Sequence, residues 1–198
     1  MTDPIPLGEA SMRITLPPHC AHRTLLEALR ATPRVIDVVL TDTHAAVYFD
    51  PSHPLPDLAP ALARAASASE NVTARDHFIR VVYDGPDLDD VAALIRCTRD
   101  EVIAIHSRAI YTVAFVGFMP GFAYLDGLDE RLRLPRRATP RPRVPAGSVA
   151  IAGARSGIYP FASPGGWHLL GRVVDFVAFD PARGATLQSG DRVHFQPA

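Results

Sequence analysis

The sequence predicts an α+β chain of two units, a small ferredoxin-like layer followed by a β-barrel. Three features predict it. The opening third alternates strand and helix patterns in the order βαββα. A polar, weakly periodic stretch then runs from Ser67 to Arg75. From Ile110 onward the pattern changes to short apolar runs cut by glycine and proline, as in an all-β barrel.

Each element follows from local pattern. Met12 to Leu16 alternates apolar and polar residues and stops at a Pro-Pro break, and a helical period runs from Arg23 to Ala31. Val35 to Leu40 and Ala45 to Phe49 are β-rich runs joined by Thr-Asp-Thr-His, a hairpin, and the Ala-rich Leu58 to Ala68 favours helix. The polar stretch divides the chain into residues 1–75 and 76–198. In the second unit Phe78 to Tyr83 reads as a strand, and Asp87 stands at the N-cap position of a helix over Leu88 to Arg96. Thr98 with Glu101 forms a capping box for another helix, to about Ser107. Barrel strands are expected over Tyr111 to Val116, Val149 to Ala152, His168 to Val173, Phe176 to Phe179 and Arg192 to Phe195.

Composition excludes several function classes. At 198 residues and 47% hydrophobic the chain can bury its own cores. Twenty basic residues against 21 acidic ones leave a net charge of -1, so no overall field draws it to nucleic acid or an anionic membrane. Every basic residue is arginine; without lysine there is no Walker-type phosphate lysine, no Schiff base and no Ser-Lys catalysis. Cys20 and Cys97 make no CxxC or zinc spacing, which points to free thiols in a reducing compartment. His19, Cys20 and His22 are metal-capable but lack a second pair, so no metal is expected. With no signal-peptide pattern and no apolar run of about 18 residues, the expected location is the cytoplasm.

Four places could carry chemistry. Gly117 to Leu125 packs two glycines, a proline and three aromatics behind a strand, which suits close backbone approach to a ligand and equally suits a tight turn over the core. Arg131, Arg133, Arg136, Arg137, Arg141 and Arg143 lie among Pro135, Pro140 and Pro142; forked guanidinium groups on a stiffened loop fit a carboxylate or phosphate, or a solvated surface. Ser163 to His168 holds Gly165 and Gly166, which could turn N–H groups into an anion nest, and Trp167, which could stack on a ligand or fill the core. His106, at a helix end, suits a general base or a structural contact with the helix C-terminus. GxSxG, HExxH and GxxxxGK[ST] are all missing, which favours shared over autonomous catalysis.

Long ordered blocks then match a known family. GPDL at Gly85 to Leu88, GFMPGFAYLDGL at Gly117 to Leu128, PRRATPR at Pro135 to Arg141, VPAGSVAIAG at Val144 to Gly153 and GIYPFASPGGWHLLGR at Gly157 to Arg172 resemble the B-subunit family of 5-oxoprolinase, also labelled allophanate hydrolase subunit 1 or the kinase inhibitor KipI. The resemblance implies an N-terminal α+β domain and a C-terminal cyclophilin-like barrel. It also implies direct pairing with a larger C-subunit homologue, a further A-subunit in the complex, and opening of 5-oxo-L-proline to L-glutamate by that complex with ATP and magnesium. It carries over His106 as a proton-transfer group and Arg141 as an anion clamp. Tyr111, Phe118, Pro120, Gly121, Tyr124, Pro145, Ser148, Tyr159, Ser163, Gly165, Gly166 and Trp167 carry over as substrate-binding positions. Arg155-Ser156 and Val173-Val174 stand where the family usually has Gln-Thr and Thr-Pro. Two further readings stay open: an inhibitor docking on a sensor histidine kinase, and a urea-carboxylase-like carboxyltransferase whose biotin would arrive on another protein.

Overall fold

The computed structural model describes residues 4–16, 22–67 and 74–198. His19 and Cys20 of the metal-capable trio, and most of the polar stretch after Ser67, lie outside them. The chain separates into two compact units, 1–74 and 75–198.

The first unit is one antiparallel sheet with two helices. Its strands are β1 (Ile5–Pro6), β2 (Ser11–Thr15), β3 (Val35–Leu40) and β4 (His44–Phe49); its helices are α1 (His22–Arg30) and α2 (Ala59–Ser67). The sheet order is β1-β2-β4-β3. Alternation sets its buried face: Met12 pairs with Val47 and Val47 with Val38, Ile14 with Ala45 and Ala45 with Leu40, and all of these are buried. Leu25 and Leu29 of α1, one turn apart, join Ala61 and Ala65 of α2 in the same core. Burying each leucine contributes roughly 2 kcal/mol. The βαββα order is as expected, and the short β1 fills the edge beside β2.

The second unit is built on β5 (Asp76–Val82), α3 (Leu88–Leu94), α4 (Arg99–Arg108), β6 (Ile110–Val116), β7 (Ala123–Asp126), a 3-10 turn (Glu130–Leu132), β8 (Arg141–Val144), β9 (Ser148–Ala152), β10 (Arg155–Ile158), β11 (Ser163–Gly165), β12 (His168–Val174), β13 (Phe179–Asp180), β14 (Gly184–Ala185) and β15 (Arg192–Pro197). Seven strands close a barrel in the order β10-β7-β6-β15-β5-β12-β9, and β9 pairs with β10. Closure leaves no barrel edge to attract another chain. Every pairing is antiparallel except β15 with β5, which is parallel from Arg192↔Asp76 to Pro197↔Val81. Inside lie Ile79, Val81, Tyr111, Val113, Leu125, Val149, Ile151, Leu170 and Val193, and Leu88 and Val91 of α3 with Val102 and Ile105 of α4 join that core.

The β9 strand is buried on both faces. Val149 and Ile151 face the barrel interior, while Ala150 and Ala152 face an outer layer of Phe122, Val144, Tyr159, Trp167 and Leu169. Small residues on the wall make room for the rings: a methyl group on Gly157 would lie 3.0 Å from Phe122 and 3.2 Å from Trp167. β8 and β11 pair as a separate two-stranded sheet, with Ser163↔Val144 and Gly165↔Arg141 in register.

Two expectations change here. The run Phe176 to Phe179 is not a barrel strand: Val177 is exposed, and only Phe179–Asp180 pairs, with Gly184–Ala185. Asp87 holds the N-cap position of α3, but its side chain makes no cap hydrogen bond. By contrast the Thr98/Glu101 capping box forms in full, with Glu101 N donating to Thr98 Oγ1 and Thr98 N to Glu101 Oε2. No described helix is long and apolar enough to cross a membrane.

Candidate functional site

Asp87 is drawn from its helix by arginine. Its residue is 1% exposed, and Oδ1 accepts Nη1 of Arg137 and Nη2 of Arg141, each at 2.6 Å, while Oδ2 accepts the Leu169 N–H at 2.7 Å. One carboxylate thus ties the start of α3 to β8, to β12 and to the loop before β8. Burial raises the Asp87 carboxyl, but the Arg141 hydrogen bond, the Leu169 N–H and the charges of Arg141 and Arg137 outweigh it and hold the pKa below the usual range. Two guanidinium groups share one carboxylate, leaving a surplus positive charge. Arg137 Nε and Arg141 Nη1 are buried and without a protein partner.

The rest of the arginine run divides by position. Arg131 pairs with Asp129 and Arg133 with Glu130 on the exterior, where ion pairs contribute about 0–1 kcal/mol. Arg136 and Arg141 come near Tyr159: burial raises its phenol and their charges act in the opposite sense.

Beside the pair stands the outer aromatic layer. Phe122 meets Phe118, Tyr124, Tyr159 and Trp167 edge to face, at ring separations of 4.9 to 5.6 Å, a geometry that adds about 0.5–1.5 kcal/mol per pair. Phe118 is exposed and left-handed (φ 70°), a conformation that costs a non-glycine residue on the order of 1 kcal/mol. Gly121 has φ 81°, and a methyl group there would press on Ala178 and Phe179. Pro120 is exposed at the tip of the same turn.

The Gly165-Gly166 pair is not a nest. Neither residue is left-handed, and Gly165 instead permits close approach. Gly165 lies against the Tyr159 hydroxyl, and Gly166 accepts the Arg137 N–H at 2.8 Å while facing Pro140. Ser163 sits half-buried in β11. Pro145 accepts the Ser148 hydroxyl at 2.8 Å, closing a turn fastened by Gly147 N to Tyr159 O at 2.7 Å. Arg141, Phe118, Tyr124, Tyr159, Gly165, Gly166 and Trp167 therefore share one face of the wall.

His106 and Tyr111 lie on its other side. His106 is fully buried; Tyr83 Oη meets its Nδ1 at 2.8 Å and Ser156 Oγ its Nε2 at 3.0 Å. One tautomer satisfies every contact: Tyr83 donates to Nδ1, Nε2–H donates to Ser156, and Ser156 donates to Ala150 O. The histidine thus offers its proton to serine, the reverse of a serine–histidine nucleophile. Burial pushes its pKa down to about 3. The geometry gives His106 a core role in place of the expected proton transfer, because both ring nitrogens are engaged inside the barrel. Tyr111 donates to the His106 carbonyl at 2.9 Å and fills the same core. It lines no ligand surface.

Sequence reasoning placed Arg137 only within the arginine run, His168 only at the end of the glycine loop, and Asp87 only as a helix cap; it did not see that Asp87 joins Arg137 to Arg141. Arg137 and His168, with Asp90, Ala93, Leu94 and Thr139, border a cleft of about 610 Å3 between α3 and the loop leading into β8. His168 is 7% exposed and its Nε2 meets Pro135 O at 2.9 Å.

The family model for the carboxyltransferase domain, subdomain C and D, matches residues 7–187. The 5-oxoprolinase B-subunit of Haemophilus influenzae is 39% identical across 96% of this chain and 95% of its own length. The chain belongs to the 5-oxoprolinase B-subunit family. The protein of that name from Escherichia coli O157:H7 is 48% identical over 65% of this chain and 62% of its own. Among solved structures, TTHA0988 superposes with a TM-score of 0.79 at 36% identity, covering 95% of this chain. The chain spans about two fifths (40%) of that longer polypeptide.

The departures from the family pattern now have places. Arg155 donates to Asp126 at 2.7 Å and lies 5.0 Å over the Phe115 ring, capping the edge of the aromatic layer. Ser156 is the partner of His106. Val173 is held by Gly147 through a backbone hydrogen bond.

Proposed function

We propose that this chain is the B component of an ATP-dependent 5-oxoprolinase, supplying half of the site that opens 5-oxo-L-proline to L-glutamate. The observation that carries the reading is the match to the Haemophilus influenzae B-subunit over nearly the whole of both chains. The chemistry is compatible with the residues. An unactivated lactam needs phosphoryl activation, and the carboxylate and phosphate charges that gather there need fixed donors. The Arg137–Asp87–Arg141 cluster is such a donor set, since its shared carboxylate fixes both guanidinium groups before any ligand arrives.

The chain has no lysine, so it lacks the Walker-type phosphate lysine of many magnesium–ATP sites. On this reading the A-subunit and the larger C-subunit homologue hold the nucleotide, and this chain binds and orients the anionic end of the substrate through Arg141. The aromatic layer supports the cluster from behind and keeps water from its inner side.

The test is co-expression with the larger homologue and the A-subunit, followed by ATP hydrolysis with and without 5-oxo-L-proline. Hydrolysis that depends on 5-oxo-L-proline in the complex, absent from the isolated chain and about a hundredfold lower in Arg141→Ala, is expected. Full turnover by the chain alone would refute the half-site reading, and an unchanged Arg141→Ala rate would remove the clamp.

A further inference from the structure

We propose that three loops of the second unit, meeting around the buried Ala178, form the seat on which the larger C-subunit homologue docks through an apolar surface of its own. The seat is read from the side chains of this chain; the name of its occupant rests on the subunit reading above.

The loops come from distant parts of the sequence. Gly121, in the turn between β6 and β7, packs so closely on Ala178 and Phe179 that a methyl group would not fit between them. The Phe161 ring, between β10 and β11, meets the Phe179 ring edge to face at 5.7 Å. These contacts gather Phe118, Pro120, Phe161, Val177 and Phe179 into one region. Phe161 is 43% exposed and Val177 65%, Phe118 and Pro120 are exposed, and Phe179 is half-buried. Soluble monomers rarely leave a contiguous apolar region in water.

The region holds its shape without a ligand. Val177 O accepts the Thr186 hydroxyl at 2.6 Å, Ala178 O accepts the Thr186 N–H at 3.0 Å, and Gly117 N–H donates to Phe122 O at 3.0 Å, so little ordering is lost on docking. The carboxylates of the stretch are already engaged, Asp175 with Arg80 at 2.7 Å and Asp180 with the N–H groups of Ala182 and Arg183. The counterpart it suits is therefore apolar, and not an acidic or phosphorylated ligand.

Two observations favour a companion polypeptide over a second copy. The fold stands as a separate B-subunit in Haemophilus influenzae, matched over 95% of its own length, and as two fifths (40%) of the longer TTHA0988 polypeptide. Where the neighbouring chain is not covalently joined, surface contact has to replace the link. The barrel is closed, so a companion cannot add a strand to it and needs a side-chain surface such as this one. The region also runs into the aromatic layer: Phe118 meets Phe122, which packs on Tyr159 and Trp167. A subunit seated here borders the face that holds Arg141, and a second copy would bring to it only residue types the chain already has.

The test measures binding of the full-length chain to the purified larger homologue by interferometry, for the parent, Phe161→Ser, Val177→Asp and Ile36→Asp, each verified as folded by its melting curve. Ile36 is 70% exposed on the first unit and serves as the control. Phe161→Ser and Val177→Asp should each bind at least tenfold more weakly, and Ile36→Asp as tightly as the parent. Phe161→Ser, which only shortens an exposed ring, decides the question if Val177→Asp does not fold. A parent that does not bind, unchanged affinity in the folded patch variants, or an equal loss in Ile36→Asp overturns the proposal. A dimer of the isolated chain in sedimentation that the patch variants dissolve gives the seat to a second copy and overturns it too. A complex that forms through the patch but, with the A-subunit added, hydrolyses no ATP on 5-oxo-L-proline refutes the enzyme reading and leaves the docking surface standing.

Discussion

Arg141 Nη2 lies 2.6 Å from Asp87 Oδ1, joining residues 54 positions apart through an atom that Arg137 also reaches. The two arginines are therefore held by an internal counter-ion and do not depend on a ligand for their placement.

Asp87→Asn should be among the more damaging single changes in the second unit. It keeps the shape of the side chain and removes the charge that two part-buried arginines require, at a cost of roughly 3 kcal/mol, discounted for their partial exposure. Urea unfolding of the variant against the parent measures it. Because the Asp87 pKa is held low in the folded state, this contribution is full above the ordinary carboxylate range and is lost as pH falls through the folded value.

His106 should make stability fall on acidification from near neutrality. It stays neutral in the fold down to about pH 3, while in the unfolded chain it takes up a proton near 6.5. Between those values the unfolded state binds the extra proton, so stability rises with pH by at most about 1.4 kcal/mol per unit. Unfolding free energies at pH 7 and pH 5 should differ more in the parent than in His106→Gln. Equal differences would mean the imidazole takes up its proton in the fold as readily as in the unfolded chain.

Gly85→Ala and Gly153→Ala should separate close approach from backbone strain. A methyl group on Gly85 would run into the backbone of Leu169, Leu170 and Gly171, where nothing can rotate away, and the expected cost is about 3 kcal/mol or more. Gly153, with φ 56° and open space around it, should cost about 1 kcal/mol. Thermal melts of the two variants provide the comparison.

Phe118→Gly should leave the isolated chain about as stable as the parent, since relief of a left-handed phenylalanine that is 63% exposed offsets the lost edge-to-face contact with Phe122. If that ring is kept for a partner, co-purification with the larger homologue should fall about tenfold. Undiminished assembly would leave the strained ring without that purpose.

Much of the fold was legible because burial imposes period. β6, β9, β12 and β15 read as apolar runs, and the Thr98/Glu101 box was visible as a local pattern three residues apart. β8, β10 and β11 were not legible: Arg-Pro-Arg-Val, Arg-Ser-Gly-Ile and Ser-Pro-Gly carry little strand preference, and their pairing depends on partners elsewhere in the chain. The site divided in the same way. Glycine, proline and aromatic blocks marked the face that holds Phe118, Tyr124, Tyr159 and Trp167. Asp87 looked like an ordinary helix cap, and nothing local reveals that its partners stand 50, 54 and 82 residues away. His106 had two readings from its place at a helix end, and Tyr83 and Ser156, distant in sequence, decided between them.

The parallel seam between β5 and β15 has a consequence for synthesis. Asp76 and Arg192 are neighbours across 116 positions of chain, so one side of β5 stays bare while everything between them leaves the ribosome. Loop closure over that span comes last and is slow, which makes the nascent second unit a client for whatever shields unpaired strand edges in the cell. Shortening the chain before Arg192 would therefore leave a sticky half-cylinder in place of a trimmed version of the protein.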